Sequence, residues 1–319
     1  MNKKLYFLLL ALSGLIFNQA YAQNQSSFKV IPLGIKGGLD ESNLSAYMIA
    51  PAKSENFICA DAGTIRHGID AAIGNHLFKG SPNDILRNNI KGYLVSHAHL
   101  DHVAGLIMNS PDDSKKNIYA IPSVIEVLRD KYFTWKAWAN FANEGETPRL
   151  GKYTYVNLQE NVKKDLEGTE MQVTPFLLSH GPAYESTAFL IGHENAYLLY
   201  LGDTGADEIE KNTRLEKLWE QIAPLVAKNQ LKAIFIETSF SDKQPENQLF
   251  GHLTPRLLMV ELNKLSKLAG ATALQKVAIV ITHMKAWDQE EQYLVNELKR
   301  VNTAGLRLVF PEQGKLLEF

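Results

Sequence analysis

The most chemically distinctive residues of this sequence are His97, His99, Asp101 and His102, which fall within six consecutive positions. Imidazole nitrogen and carboxylate oxygen are ligands that suit zinc and similar divalent ions, and one ion takes about four of them. His97 and His99 alternate, so they point the same way on extended backbone, whereas Asp101 and His102 come where the backbone can turn into a helix. This spacing favours two adjacent metal ions.

The flanking residues indicate that this tract lies in a folded site. The apolar run Tyr93-Leu94-Val95 precedes it, and the amphipathic run Val103–Met108 follows it. A strand-to-helix junction of this kind is where functional ligands cluster in β/α proteins. The alternative is a solvated histidine-rich loop or a metal-scavenging tract, which is not expected between two apolar segments.

Apolar periodicity predicts two mixed β/α halves that meet near residue 170. The predicted strands span residues 28–33, 44–50, 57–61, 92–96 and 118–121, then 171–178, 187–192, 196–201, 233–237, 277–282 and 307–310. The predicted helices span residues 68–77, 101–108, 123–132, 214–228, 255–268 and 287–301. Polar residues predict loops at 109–117 and 143–152, and no low-complexity linker separates the halves.

Three further ligand candidates follow apolar strands in the second half. They are His180 after the run ending at Leu178, Asp203 after the run ending at Leu201, and His283 directly after Thr282. Each alone has an ordinary explanation, since a strand-end histidine is often structural and an aspartate in an Asp-Thr-Gly turn often caps a helix. Their recurrence beside the dense tract favours a shared metal site.

The tract resembles the histidine-rich motif of the metallo-β-lactamase superfamily, and His180, Asp203 and His283 stand in the order of its later motifs. The longer string from His97 to Pro111 resembles the signature of the class II cyclic-nucleotide phosphodiesterases. Further stretches similar to that family are Gly37-Gly38, Glu41–Ser45, Trp138–Phe141, Glu237–Phe240 and Gly251–Pro255, while Asp61–Thr64 matches the early aspartate turn of the superfamily. Ala139 departs from the proline expected at its position.

This resemblance implies an α/β (α+β) fold, a four-layer αββα sandwich with a dimetal site at the sheet edges. It implies that His97, His99 and His180 hold one ion, that Asp101, His102 and His283 hold the other, and that Asp203 bridges them. Asp61 is expected to support these ligands without binding metal. The cofactors are expected to be two divalent ions, Zn²⁺ foremost, although manganese and iron accept the same ligands.

Two cations about 3.5–4 Å apart lower the pKa of a shared water toward neutrality, so a metal-bridging hydroxide is the expected nucleophile. Asp101 is expected to act as a metal ligand. His252 is the candidate for stabilising or protonating the leaving 3′-oxygen, and Glu237 is the candidate for orienting His252. The alternatives are that His252 is a loop histidine that caps a helix and that Glu237 is an ordinary carboxylate at the end of a strand.

Substrate recognition is less determined by the sequence. Asn43 and Ser45 are candidates for hydrogen bonds to phosphate or ribose, although the chemistry of a strand-entry turn explains them equally well. The aromatic residues Phe133, Trp135, Trp138 and Phe141 suit either stacking on a purine or one face of a buried helix. We favour the helix because Trp135, Trp138 and Phe141 are spaced three residues apart.

The first 22 residues predict a secretory signal peptide. Lys3 and Lys4 precede an apolar run from Leu5 to Phe17, and Ala20-Tyr21-Ala22 matches a small-x-small cleavage site. Cleavage after Ala22 would leave residues 23–319 as one metallo-β-lactamase-like hydrolase domain, periplasmic or secreted. The apolar run is shorter than the roughly 20 residues that span a bilayer, so it does not predict a membrane anchor. No membrane association is expected after the signal peptide is removed.

Charge and cysteine content limit the remaining possibilities. The chain has 33 basic and 35 acidic residues, and loss of Lys3 and Lys4 leaves 31 against 35, a net charge of −4. This balance argues against a nucleic-acid polymer as partner. The single cysteine, Cys59, lies in an apolar run and is expected to be a buried, inert thiol. The sequence leaves open whether the protein forms a homodimer.

The first hypothesis is therefore an exported phosphodiesterase that hydrolyses 3′,5′-cyclic AMP, and cyclic GMP as a further substrate, to the 5′-nucleotide. The second keeps the metal site but changes the substrate to a β-lactam, thioester, lactone or other phosphoester. The third is a periplasmic metal- or nucleotide-binding protein without turnover.

Overall fold

The computed structural model describes residues 26–182 and 184–319, and its strands form two seven-stranded sheets. The predicted signal peptide, residues 1–22, lies outside the described residues. Within the described part of the chain, no helix is long and apolar enough to cross a membrane.

The first sheet contains the strands of the first half and the last strand of the chain, in the order β14-β1-β2-β3-β4-β5-β6. The order therefore brings the C-terminus back to β1. The strands are β1 (Phe28–Gly34), β2 (Ala46–Pro51), β3 (Phe57–Ala60), β4 (Ile90–Leu94), β5 (Lys116–Ala120), β6 (Tyr153–Asn157) and β14 (Leu317–Glu318).

The second sheet has the order β13-β12-β11-β10-β9-β8-β7, and its neighbours from β10 to β13 run parallel. Its strands are β7 (Lys164–Leu166), β8 (Met171–Ser179), β9 (Glu185–His193), β10 (Ala196–Leu201), β11 (Leu231–Glu237), β12 (Ala278–Thr282) and β13 (Arg307–Val309). The boundary between the halves thus falls between Asn157 and Lys164, slightly before the predicted residue 170.

Helices cover the outer face of each sheet. Those of the first half are α1 (Arg66–Gly74), α2 (Pro82–Asn88), α3 (Leu100–Asn109) and α4 (Pro122–Val127), which continues as a π-helical turn at Leu128–Tyr132. Those of the second half are α5 (Asp207–Glu210), α6 (Arg214–Ala227), α7 (Pro255–Ala269), α8 (Ala271–Leu274) and α9 (Asp288–Val301), with a 3₁₀ turn at Glu246–Gln248.

Three buried apolar clusters correspond to the three interfaces of a four-layer sandwich. One cluster joins the two sheets and includes Tyr47, Phe189 and Phe235. The other two pack the helices of each half against its own sheet. Strands buried on both faces are uniformly apolar, as in β2 and β12. The predicted αββα sandwich is therefore confirmed, and Cys59 is fully buried within it.

The predicted helix around Trp135, Trp138 and Phe141 is wrong. Residues 133–141 form no helix, and Trp135 has a positive φ of 60°. The side chains of Trp135 and Trp138 are 43% and 37% exposed. Their indole nitrogens instead donate to Pro148 O at 2.8 Å and to Ser110 Oγ at 3.0 Å. These hydrogen bonds stabilise an irregular segment that the spacing of aromatic residues alone does not reveal.

Candidate metal centre

The histidine tract changes from extended to helical backbone at the residue where the sequence predicts the change. His99 is the extended residue that begins α3, with φ −67° and ψ 149°, and Asp101 lies in the first turn of that helix. His97 and His102 are 2% and 1% exposed. The tract therefore presents its side chains on two different backbone conformations.

The three candidates of the second half lie at the ends of strands, as predicted. His180 follows β8, Asp203 comes two residues after β10, and His283 follows β12. Because β10, β11 and β12 run parallel, their carboxyl ends meet at one edge of the sheet, where sites form in β/α folds.

A first group of potential ligand atoms comes from His97, His99 and His180, which together could hold a metal ion. His180 Nε2 lies 3.3 Å from His99 Nδ1. The other ring nitrogen of His180, Nδ1, donates to Gly251 O at 2.9 Å. This hydrogen bond places the proton on Nδ1 and leaves the Nε2 lone pair facing the other two histidines.

A second group comes from Asp101, His102, Asp203 and His283. His283 Nε2 lies 3.2 Å from Asp101 Oδ2 and 3.1 Å from Asp203 Oδ2. His102 Nε2 lies 3.4 Å from Asp203 Oδ1 and 4.0 Å from Asp101 Oδ2. Two imidazoles and two carboxylates thus converge beside the first group.

Asp203 lies between the two groups. Its Oδ2 atom is 3.8 Å from His97 Nε2 and 3.8 Å from His180 Nε2, while the same carboxylate contacts His102 and His283. A carboxylate in this position can offer one oxygen to each of two ions.

The hydrogen bonding of the site fits a metal better than it fits a self-contained network. The Nε2 atoms of His97 and His102 are buried and make no hydrogen bond. Buried polar atoms without partners are rare and costly, and each such case in a native fold needs an explanation. Imidazole nitrogens beside carboxylate oxygens are the donor set that zinc and related ions prefer.

The electrostatics of the site also suit ligation. Burial lowers the pKa of His97 well below its usual range, lowers that of His180, and lowers that of His99 to about 4. These imidazoles are therefore neutral at neutral pH, which ligation requires. Although burial opposes both shifts, the neighbouring histidines, His283 foremost, hold the pKa of the Asp203 carboxyl well below its usual value, and Asp203 and Asp61 raise the pKa of His102. A metal ion that binds His102 would therefore displace a proton.

Asp61 lies behind His102 and holds its ring. The carboxylate accepts His102 Nδ1 at 2.8 Å, Tyr200 OH at 2.7 Å, and both the backbone N and the Oγ of Ser96 at 2.8 Å. Since a carboxylate only accepts, His102 Nδ1 carries a proton, and the other ring nitrogen, Nε2, faces Asp203. The contact with His102 is present, and a supporting role of Asp61 at a metal site stays a prediction.

Glu237, His252 and Lys285 form a hydrogen-bonded chain along one side of the cluster. His252 Nδ1 donates to Glu237 Oε1 at 2.7 Å, and His252 Nε2 accepts Lys285 Nζ at 2.9 Å. Although burial opposes it, Glu237 raises the pKa of His252. The predicted pairing of Glu237 with His252 is thus present, but Lys285 stands between His252 Nε2 and solvent.

The Gly37-Gly38 turn packs directly on the ligands. A Cβ atom at Gly37 would lie 2.2 Å from His283 Cε1, so a larger residue cannot occupy this position without displacing the ring. Gly38 N donates to Asp101 Oδ2 at 2.9 Å. His283 itself has a positive φ of 57°, and its N–H donates to Ile35 O at 2.8 Å.

Asn43 and Ser45 stabilise the same turn. Asn43 Oδ1 accepts the N–H of Ile35 at 3.1 Å, and the buried Ser45 hydroxyl donates to Lys36 O at 3.3 Å. These bonds fit the alternative of strand-entry turn chemistry, and substrate contact by either residue stays a prediction.

Sequence reasoning did not identify Tyr200 or Lys285. Tyr200 is a buried strand residue whose partner Asp61 is 139 positions away, so no local pattern indicates the contact. Lys285 had a signal, since it is a cation two residues after the predicted ligand His283.

A family model for the cAMP phosphodiesterases class-II matches residues 81–314. The chain belongs to this family. It is 39% identical over 314 residues to the 3′,5′-cyclic-nucleotide phosphodiesterase of Aliivibrio fischeri, with 94% of this chain and 95% of that protein covered. It is 36% identical over 320 residues to the "Probable 3′,5′-cyclic-nucleotide phosphodiesterase" of Yersinia pestis, with 96% and 93% covered.

Solved structures agree on the fold. Unliganded yeast PDE1 is similar with a TM-score of 0.82 at 21% identity, covering 92% of this chain and 100% of that chain. The metallo-β-lactamase fold protein YhfI from Bacillus subtilis is similar with a TM-score of 0.62 at 16% identity, again covering 92% and 100%. The sandwich of this phosphodiesterase family member is thus of the metallo-β-lactamase type.

Proposed function

We propose that this protein hydrolyses 3′,5′-cyclic nucleotides to 5′-nucleotides at the histidine and aspartate cluster. Membership of the phosphodiesterase family supports the reaction class. The main structural support is the convergence of two groups of candidate metal ligands at Asp203. Family membership and similarity along almost the whole chain favour this reaction over the β-lactam, thioester and lactone alternatives and over a protein without turnover.

We propose two divalent ions, zinc foremost, as the cofactors. His97, His99 and His180 would hold one, Asp101, His102 and His283 the other, and Asp203 would contribute to both. Such ions supply activated water near neutral pH and neutralise phosphoryl oxygens in phosphodiester hydrolysis. The two orphaned Nε2 atoms support this assignment.

The residues beside the cluster position a positive charge for the phosphate. His252 donates its Nδ1–H to Glu237. Its Nε2 atom accepts a hydrogen bond from the Lys285 ammonium and so holds that ammonium at the cluster. Lys285 has two further N–H donors, which suit a phosphoryl oxygen or the departing 3′-oxygen. His252 thereby serves the leaving group through Lys285, rather than by direct contact alone.

We also propose export. The leader at residues 1–22 predicts cleavage after Ala22 and a periplasmic or secreted enzyme, which would then consume extracellular cyclic nucleotide. N-terminal sequencing of protein from periplasmic and culture fractions checks this proposal. A chain in those fractions that begins at Gln23 supports it, and a full-length chain confined to the cytoplasm contradicts it.

The reaction is tested with purified protein, using cyclic AMP, cyclic GMP and a β-lactam as parallel substrates. We expect hydrolysis of cyclic AMP to the 5′-nucleotide, loss of activity with a chelator, and recovery on adding zinc. Hydrolysis of the β-lactam with no turnover of either cyclic nucleotide would contradict the proposal. Full activity after exhaustive chelation would contradict the metal dependence.

A further inference from the structure

A cavity of about 220 Å³ opens beside His97 and His99 at one side of the metal centre. Its lining includes Val124 and Val127 of helix α4 and Tyr184 from the segment that follows His180. The cavity is below the roughly 300 Å³ at which pockets for drug-sized ligands begin. Its size therefore suits one ring system of a nucleotide rather than the whole molecule.

Tyr184 gives this cavity an aromatic wall. Its side chain is 58% exposed, so part of the ring is free to contact a ligand. The ring lies 4.8 Å from the His99 ring, centroid to centroid, at an interplanar angle of 72°. Edge-to-face packing on a proposed metal ligand thus fixes the tyrosine beside the reaction centre.

The rim of the cavity is polar and acceptor-rich. Glu185 Oε1 accepts Arg214 Nη2 at 3.2 Å, and Glu185 Oε2 accepts Ser123 Oγ at 3.4 Å. A carboxylate has about four lone-pair positions, so these two contacts leave acceptors for another donor. The exocyclic amino group of a purine is a donor of this kind.

A second cavity of about 320 Å³ lies at Ser239 and Lys285 and suits a base less well. Its lining includes Lys243, Gln289 and Glu290. Its tyrosine, Tyr293, already has the Lys243 ammonium 3.9 Å from the ring centroid. The aromatic surface there is covered by a cation, whereas that of Tyr184 borders open space.

We infer that the cavity at Tyr184 binds the purine base of the cyclic nucleotide, an inference that rests on the proposed function. Tyr184 stacks on the base, Val124 and Val127 form the apolar wall, and Glu185 accepts the amino group. The metal centre holds the phosphate, so this cavity determines which bases are accepted.

Calorimetric binding of adenosine 5′-monophosphate and ribose 5-phosphate to the metal-loaded protein tests the inference, because the two ligands differ only in the base. Tyr184→Ala is expected to weaken nucleotide binding about tenfold, the size of one base-stacking contact, without changing ribose 5-phosphate binding. Val127→Phe, which fills the cavity, should have the same selective effect. Leu268→Ala, a 51% exposed residue near the far end of α7, is the control and should change neither.

Equal losses for both ligands, or unchanged nucleotide binding in both cavity variants, would overturn the base site. Glu185→Leu, which removes both acceptor oxygens, should weaken the binding of adenosine 5′-monophosphate but not that of purine riboside 5′-phosphate, which lacks the amino group, and equal effects on both would remove Glu185 from the site. These binding results are independent of turnover. If the unmodified protein fails to hydrolyse cyclic nucleotides, the proposed function fails separately.

Discussion

Two buried clusters of charged residues in this molecule differ in whether all their polar atoms have hydrogen-bond partners. In the first half, Asp113 Oδ2 accepts Tyr93 OH at 2.6 Å and Tyr153 OH at 2.9 Å, and Oδ1 pairs with Lys116. The Lys116 ammonium also donates to Leu86 O at 2.7 Å. These polar atoms are all partnered, so the cluster needs nothing from outside the chain.

The candidate metal centre is also largely buried, but not all of its polar atoms have partners within the chain. His97 Nε2 and His102 Nε2 have no hydrogen-bond partner, although carboxylate oxygens lie 3.4–3.8 Å away. A buried network in which every polar atom has a partner stabilises the fold, whereas buried ligand atoms that converge without hydrogen bonds indicate a place for a cation.

Replacing the bridging carboxylate should produce the largest effect. Asp203→Asn keeps the shape but removes the charge shared by both ligand groups, so we expect kcat/KM for cyclic AMP to fall by more than about 10³-fold. A supporting residue alone typically costs about 10–100-fold. Steady-state kinetics and metal analysis check this, and a variant with full metal content and activity would contradict the bridging role.

The matching change in the satisfied cluster should affect stability and not chemistry. Asp113→Asn leaves the Lys116 ammonium buried without its partner, and breaking a buried pair in this way costs about 3–5 kcal/mol. Urea unfolding measures the loss, while kcat per folded molecule should stay unchanged. If kcat falls as it does for Asp203→Asn, the contrast between the two clusters is wrong.

Lys285→Met should lower kcat/KM by about 10–100-fold, because a charge-assisted hydrogen bond contributes about 1.5–3 kcal/mol. Lys285→Arg keeps the charge and should recover part of the loss. Metal content should be normal in both variants, which separates this residue from the ligands. Equal activity in the methionine and arginine variants would show that the charge of Lys285 does not contribute to catalysis.

Asp61→Asn should weaken metal binding by about 10–100-fold, as loss of a carboxylate behind a ligand histidine does. Competition with a chromophoric chelator measures the affinity. Tyr200→Phe removes one of the hydrogen bonds to the same carboxylate and should have a smaller effect of the same sign. Unchanged affinity in both variants would show that His102 is oriented by other contacts.

The tyrosines of the satisfied cluster should make stability fall at alkaline pH. Burial, with a further contribution from Asp113, raises the pKa of Tyr93 well above its usual value. The unfolded chain loses this proton above about pH 10 while the folded chain keeps it, so stability present below pH 10 is lost as pH rises. Tyr93→Phe should reduce that slope by about 1.4 kcal/mol per pH unit. An unchanged slope in urea unfolding between pH 9 and 11 would contradict this.

The sequence predicted the parts of this structure that local pattern determines. The histidine tract and the strand ends at His180, Asp203 and His283 follow from apolar runs that stop at polar residues. Short elements were missed although one had a local signal, since Ser81 and Asp84 form a capping box at the start of helix α2. Edge strands β7 and β14 contain only three and two residues and have little pattern to detect.

Contacts between distant residues account for the rest. The irregular segment around Trp135 is stabilised by indole hydrogen bonds to Pro148 and Ser110. The spacing of the aromatic residues in the sequence predicts neither bond. The partners of Asp61 and the attachment of Lys285 to His252 likewise depend on tertiary packing. Residue types therefore predicted which candidate ligands converge, while the orientation of their side chains required the fold.

Zinc titration of the metal-free protein, with bound metal and cyclic AMP hydrolysis followed in the same samples, tests whether two ions act together at Asp203. We expect tight binding of two ions per chain and activity that rises to its maximum only at the second equivalent. Maximal hydrolysis at one equivalent, or hydrolysis that persists without bound metal, would contradict a two-ion centre joined by Asp203.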